Sequence, residues 1–328
     1  MRAGWRCRCA GSPSALRWLL PLLRVPLRPS LLLPLSLLLM PGLVPAAAAP
    51  SALAPPRLRV VTTTTDLKSL VESVGGDRVE VESLTAPDQD PHAIEIKPSQ
   101  MARLRSAALL VRVGLDHEPW LARLKTDAAV VDASARVRLL QAETPRLRVQ
   151  RRAHVHAFGN THYWLDPANA APITASIAEA LSERSPADQA RFAANRGAFL
   201  EALGERMAQW ARTLAPFRGT RVVVMHDSWA YFAERFGLDI VAAAEPVPGV
   251  PPAPAELAAL AQRMREAGVR IVIAEPHSNP SLVRAVAGRS GARVVTLLAS
   301  VGAEGASRDY LSLIELDVRR LADALGAR

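Results

Sequence analysis

Short runs of consecutive apolar residues alternate along this chain with longer stretches in which apolar positions recur every three or four residues. The run at 58–64 is β-branched and apolar, which predicts a buried strand, and 79–84, 108–113 and 128–131 read as further strands. Asp66 is placed to cap a helix starting at Leu67. The stretch 98–106 opens on a proline, which suits the first helical turn because the N–H it lacks would have no partner there. Strands alternating with helices predict a parallel α/β sheet. Residues 143–160 are polar, Arg-rich and irregular, and predict a loop. Two helical patterns follow, 167–182 and 186–214. In the second, Phe192, Phe199, Leu203, Met207, Trp210 and Leu214 form one apolar stripe. About 29 residues at 1.5 Å each make a helix of roughly 43 Å, long enough to run along two lobes and tie them together. After Pro216 the strand–helix pattern restarts, with strands at 220–225, 238–243, 269–274 and 292–297. Helices are expected at 228–236, 254–267 and 280–290, and an extended Pro-rich linker at 245–254. The expected architecture is two α/β lobes with parallel sheets, at 50–185 and 217–328, joined by a long helix at 186–216.

Upstream of this pattern, residues 1–49 hold six arginines and no Asp or Glu. They continue into an apolar run at 31–40 and small residues, with an A-x-A pattern near Ala47–Ala49. This predicts a cleaved export signal. The run is too short and too interrupted by proline for a bilayer span, which takes about 20 apolar residues. The leader changes the meaning of the charge. The whole chain of 328 residues carries +9, but without the leader 34 basic residues face 31 acidic ones, a net of +3. With aromatics at 5%, neither a basic footprint nor a base-stacking platform for nucleic acid remains. Both cysteines, Cys7 and Cys9, lie in the leader. The exported chain would therefore have no disulfide, no thiolate ligand and no Cys nucleophile. A soluble, monomeric periplasmic protein is expected.

The chemistry is carried by histidine. His92, His226 and His277 each follow a predicted strand, and His162 sits at a loop-to-helix junction before Trp164-Leu165-Asp166-Pro167. In open α/β sheets ligands bind outside the carboxyl ends of strands. Neutral imidazole is the commonest nitrogen ligand for metals, and three or four of them suit Zn²⁺. The alternative for each is a polar loop residue or a helix cap. His117 is expected to pack or hydrogen-bond near Trp120, and His154 and His156 to form a solvated loop pair.

Five successive motifs extend the argument: DPHAIEIKPSQ, VGLDHEPWL, THYWLDPANA, HDSWAYFAERFGL and AEPHSNPSLVRAVAGRSGARVVTL. Together, over about residues 58–325, the chain resembles the cluster A-I zinc/manganese substrate-binding proteins of bacterial ABC transporters. The resemblance implies two α/β lobes, a rigid linking helix and a divalent ion held in the cleft. It implies capture of that ion for an ABC permease and its ATPase. By motif position, the family's histidine ligands fall on His92, His162 and His226, the last where manganese-type members often carry Glu. The family's usual fourth ligand is an Asp in a loop after the last strand, where this chain reads LLASVG with Ala299 at the carboxylate position. Three histidines plus water, or His277, are the expected replacements, with Glu275 and Glu304 behind them. Nitrogen ligands without a carboxylate favour Zn²⁺ over Mn²⁺. Asp90 and Asp227 are placed to orient the imidazoles, and Asp166 to cap the following helix. A zinc hydrolase is the alternative of another class. It needs a general base such as Glu275 or Glu304, and no H-E-x-x-H motif is present.

Overall fold

The computed structural model describes residues 57–140, 159–245 and 252–327. The leader, the histidines at 154 and 156, and most of the Pro-rich linker lie outside the described residues. Among the described residues, eight strands form two four-stranded sheets in which every pairing is parallel. In the first sheet β1 (Leu58–Thr62) lies between β2 (Val79–Ser83) and β3 (Leu109–Arg112), with β4 (Ala129–Asp132) beyond β3. The second repeats the order: β5 (Arg221–Val224) lies between β6 (Asp239–Ala243) and β7 (Ile271–Ala274), with β8 (Arg293–Thr296) at the far edge. The central strands β1, β3, β5 and β7 each carry three or four consecutive buried residues, as expected where both faces of a sheet are covered. The edge strands β4 and β8 expose Val130 and Val294.

The helices are α1 (Thr65–Gly75), α2 (Pro98–Ser106), α3 (Ala170–Arg184), α4 (Gln189–Leu214), α5 (Ala230–Phe236), α6 (Pro254–Glu266), α7 (Pro280–Ser290) and α8 (Tyr310–Gly326). Two parallel α/β lobes are thus present as expected, with differences at the helix ends. Thr64, not Asp66, caps α1 by accepting the Leu67 N–H at 3.4 Å. Asp66 is fully buried and instead accepts the Val301 N–H at 3.0 Å. The turn before α4, Pro186–Asp188, is 3₁₀ rather than α. Asp188 there is drawn to Arg78, at 2.8 and 3.0 Å, and to the Ser185 hydroxyl at 2.6 Å. Residues 228–229 stay outside α5. Helix α8 lies beyond the elements read from the pattern.

Helix α4 has 26 residues, about 39 Å at the standard rise. Its stripe of Phe192, Phe199, Leu203, Trp210 and Leu214 is buried. It packs against α1 and α3 of the first lobe and against α8, which also contacts β8 of the second. One apolar core therefore runs through both lobes, from Val60 and Leu70 to Ile273 and Leu321. The Trp210 Nε1–H donates to Glu315 on α8 at 2.6 Å. Trp210→Phe keeps an aromatic ring in the core but removes that donor. It is expected to cost about 1–3 kcal/mol in urea unfolding; an unchanged midpoint would show that this bond adds nothing.

The segment after β8 stitches the lobes together. Besides Val301 on Asp66, the Tyr310 N–H donates to Ser69 Oγ at 2.9 Å and the Tyr310 hydroxyl to the Trp164 carbonyl at 2.5 Å. In return Trp164 Nε1–H donates to the Ala299 carbonyl at 3.0 Å. No helix among the described residues is long and apolar enough to cross a membrane.

Candidate metal centre

Parallel strands deliver their following loops to one edge of a sheet, and the histidines are found in such loops. His92 follows β2 in a loop pinned by the Trp120 Nε1–H, which donates to the Pro91 carbonyl at 2.8 Å. The hydrogen bond of Trp120 thus goes to Pro91. Asp90 accepts the backbone N–H of His92 at 2.9 Å, so it orients the loop rather than the imidazole. The ring is fixed by the His117 carbonyl, 3.0 Å from Nδ1.

His117 follows β3 in a turn whose Gly114, Leu115 and Asp116 all have positive φ, near 80°, 56° and 57°. Glycine is required at the first of these, because a Cβ there would lie 2.4 Å from Asp132 Oδ1. The other two store strain. Glu118 holds the turn by accepting the Val113 N–H at 2.7 Å and the Gly114 N–H at 3.1 Å. His117 is completely buried, and its Nδ1 lies 2.9 Å from Thr161 Oγ1.

His162 is positioned by its neighbours in sequence. The Tyr163 hydroxyl donates to the Val113 carbonyl at 2.8 Å, and Trp164 is buried against both His117 and His162. Asn160 Oδ1 takes the His162 N–H at 3.0 Å and lies 3.2 Å from its Nδ1. Asp166 accepts the Ala168 N–H at 2.9 Å, as expected of a cap, and also pairs with Arg235.

These loops bring three imidazoles together. His92 Nε2 lies 3.1 Å from His162 Nε2, and the ligand atoms of His92, His117 and His162 all lie within 4.8 Å of one another. Two Zn–N bonds of about 2.0–2.1 Å at a tetrahedral angle separate the nitrogens by about 3.3–3.4 Å, so the donors fit such an ion. Burial, followed by the nearby His226 and His277, pulls the His92 pKa down against an opposing contribution from Asp90. The neutral, metal-binding form is thereby favoured.

In the second lobe His226 follows β5. Its Nε2 lies 3.5 Å from the buried Glu245, and its ring centroid is 5.5 Å from that of the exposed His277, after β7. Asp227 meets the first lobe through its carbonyl, which accepts Asn160 Nδ2–H at 2.6 Å.

Against this geometry the comparisons are decisive. The family model described as zinc-uptake complex component A, periplasmic (ZnuA), matches residues 60–324.

The chain belongs to the ZnuA family.

It is 30% identical to the high-affinity zinc uptake system protein ZnuA of Paracoccus denitrificans, over 87% of this chain and 98% of that protein. It is 27% identical to the Yersinia pestis protein of the same name, over 73% and 81% of the two chains. A crystal structure of ZnuA matches with a TM-score of 0.71 at 28% identity, covering 82% of this chain and 99% of the other. Within this ZnuA-family chain two expected acidic candidates are otherwise engaged. Glu275 is buried, accepting Trp229 Nε1–H at 2.7 Å and the Ser278 hydroxyl at 2.7 Å. Glu304 is bound by the Arg320 guanidinium at 2.9 and 2.5 Å, which holds its carboxyl below the usual range. Both carboxylates are thus committed to partners other than the imidazoles. Ala299 contributes only its carbonyl, to Trp164.

Proposed function

We propose that this protein captures zinc in the periplasm and hands it to an ABC permease driven by its ATPase. The observation that carries this reading is the meeting of imidazoles, with His92 and His162 in contact in the first lobe and His226 beside His277 in the second. His92, His162 and His226 are the proposed ligands, and His277, beside His226, is a candidate for the fourth position. The chain's kinship with zinc-uptake proteins supports this cargo and this partnership. The absence of any cysteine after residue 9 leaves nitrogen and oxygen as the donors, and a nitrogen-rich set favours zinc over manganese. The leader 1–49 is proposed to be removed on export.

Calorimetry on the exported protein, stripped of metal by chelator, tests the reading. One tight Zn²⁺ site per chain is expected at pH 7, with much weaker Mn²⁺ binding. Affinity is expected to fall towards pH 5.5 as protons compete for the imidazoles. Failure to bind Zn²⁺ stoichiometrically at pH 7 would refute the proposal. In cells, loss of the gene is expected to impair growth under chelation, with added zinc restoring it.

A further inference from the structure

We propose that His117 is a zinc ligand, making with His92 and His162 a three-histidine site within the first lobe that takes the place of the missing carboxylate at Ala299. This inference rests on the zinc-capture reading and specifies how the ion is held.

Three observations converge on it. First, the ligand atoms of His117, His92 and His162 form a single group, and the ring of His117 stands 4.2 Å from that of His92 and 5.3 Å from that of His162. Second, the three rings are anchored alike. Each Nδ1 lies beside an oxygen: the His117 carbonyl for His92, Thr161 Oγ1 for His117 and Asn160 Oδ1 for His162. A hydrogen bond at one ring nitrogen sets the tautomer and leaves the other nitrogen as the electron-pair donor. The carbonyl and the Asn160 amide oxygen only accept, so in His92 and His162 that donor is Nε2, and these atoms already face each other at 3.1 Å; the Thr161 hydroxyl can accept from His117 Nδ1 in the same way. Third, the turn carrying His117 is costly: two non-glycine residues take left-handed backbone and a buried glutamate is committed to holding it. Such strain persists where the surroundings over-determine it.

The alternative is that His117 only supports His92. That support comes from the His117 carbonyl, which any side chain at 117 would retain. The two roles are therefore separable. With His117 as a ligand the first lobe alone offers three nitrogens, and His226 from the second completes a four-coordinate site. His277 then stands behind His226 and is not needed at the ion.

The test compares His117→Gln, His162→Ala and His277→Ala by competition of Zn²⁺ against a chelator of known affinity. His117→Gln is expected to bind zinc at least 30-fold more weakly than the wild type, and His277→Ala within about threefold of it. Affinity within threefold of wild type in His117→Gln, alongside a large loss in His162→Ala, would overturn the ligand role while leaving zinc capture intact. A wild-type protein that does not bind zinc would instead sink the underlying reading. Should His117→Gln fail to fold, long-range ¹H–¹⁵N spectra of the wild type decide the matter. Zinc is expected to move the Nε2 resonance of His117 to the metal-bound range while its Nδ1 stays protonated. An unmoved resonance overturns the proposal.

Discussion

His162→Ala is expected to weaken zinc binding by roughly two to three orders of magnitude. Structural zinc sites with four ligands are worth about 10–16 kcal/mol in apparent binding energy at neutral pH, so each ligand carries about 2.5–4 kcal/mol. At about 1.4 kcal/mol per decade that is a loss of two to three decades. His162 is the most direct choice because its Nε2 already faces that of His92 at 3.1 Å. The fold should tolerate the change. The ring is only partly buried, while the neighbouring Tyr163 and Trp164 keep their own hydrogen bonds to Val113 and Ala299. Competition against a chelator of known affinity measures the effect, and an unaltered melting temperature of the metal-free variant certifies the fold. Affinity within threefold of wild type would remove His162 from the site.

Asp66→Asn should change how stability depends on pH. Burial pushes the Asp66 carboxyl up from 3.8 to about 7, against the lowering effect of the Val301 N–H. Its Oδ2 has no hydrogen-bond partner among the described residues. The unfolded chain releases this proton near pH 4, whereas the folded chain keeps it until about pH 7. Between those limits the native state holds the extra proton, so wild-type stability falls as pH rises. The full contribution is present below about pH 4 and is lost once pH passes about 7, a span on the order of 4 kcal/mol. Asparagine keeps an oxygen for the Val301 N–H but does not titrate. The stability of Asp66→Asn minus that of wild type is therefore expected to climb between pH 4 and pH 8. Any constant cost of burying the amide cancels from that climb. Urea unfolding of the metal-free proteins at pH 4.5, 6 and 8 gives the difference; a flat one would show that Asp66 is ionised throughout.

Much of the fold was legible because strands covered on both faces bury consecutive apolar residues, as at Val60 and Val61 in β1, Leu109–Val111 in β3, Val222–Val224 in β5 and throughout β7. Proline marked the starts of α2, α6 and α7 for an equally local reason. The cap of α1 was misread because Thr64 and Asp66 both suit that role locally, and the choice is made by Val301, 235 residues away in sequence. Glu275 looked like a site carboxylate at a strand end until Trp229 and Ser278 claimed both its oxygens. His117 was read beside Trp120 from proximity in the chain, which gave no view of its partners from distant segments. His92 and His162 reach it through the pairing of β1 with β2 and β3 and through the return of the chain at 159–162. A usable signal was present. His117 follows a strand just as His92, His226 and His277 do, and the strand-end rule applied to those three covers it as well.

The shared order of the two sheets has an evolutionary consequence. The loop after β2 carries His92 and its counterpart after β6 carries Glu245; the loop after β3 carries His117 and its counterpart after β7 carries His277. Each lobe thus offers a set of interchangeable mounting points at its strand ends, where side chains vary without disturbing the core. A donor lost at one point can be regained at another by a single substitution. Drift in metal preference within such a lineage then requires no new backbone, only a redistribution of imidazoles and carboxylates among positions the scaffold already presents.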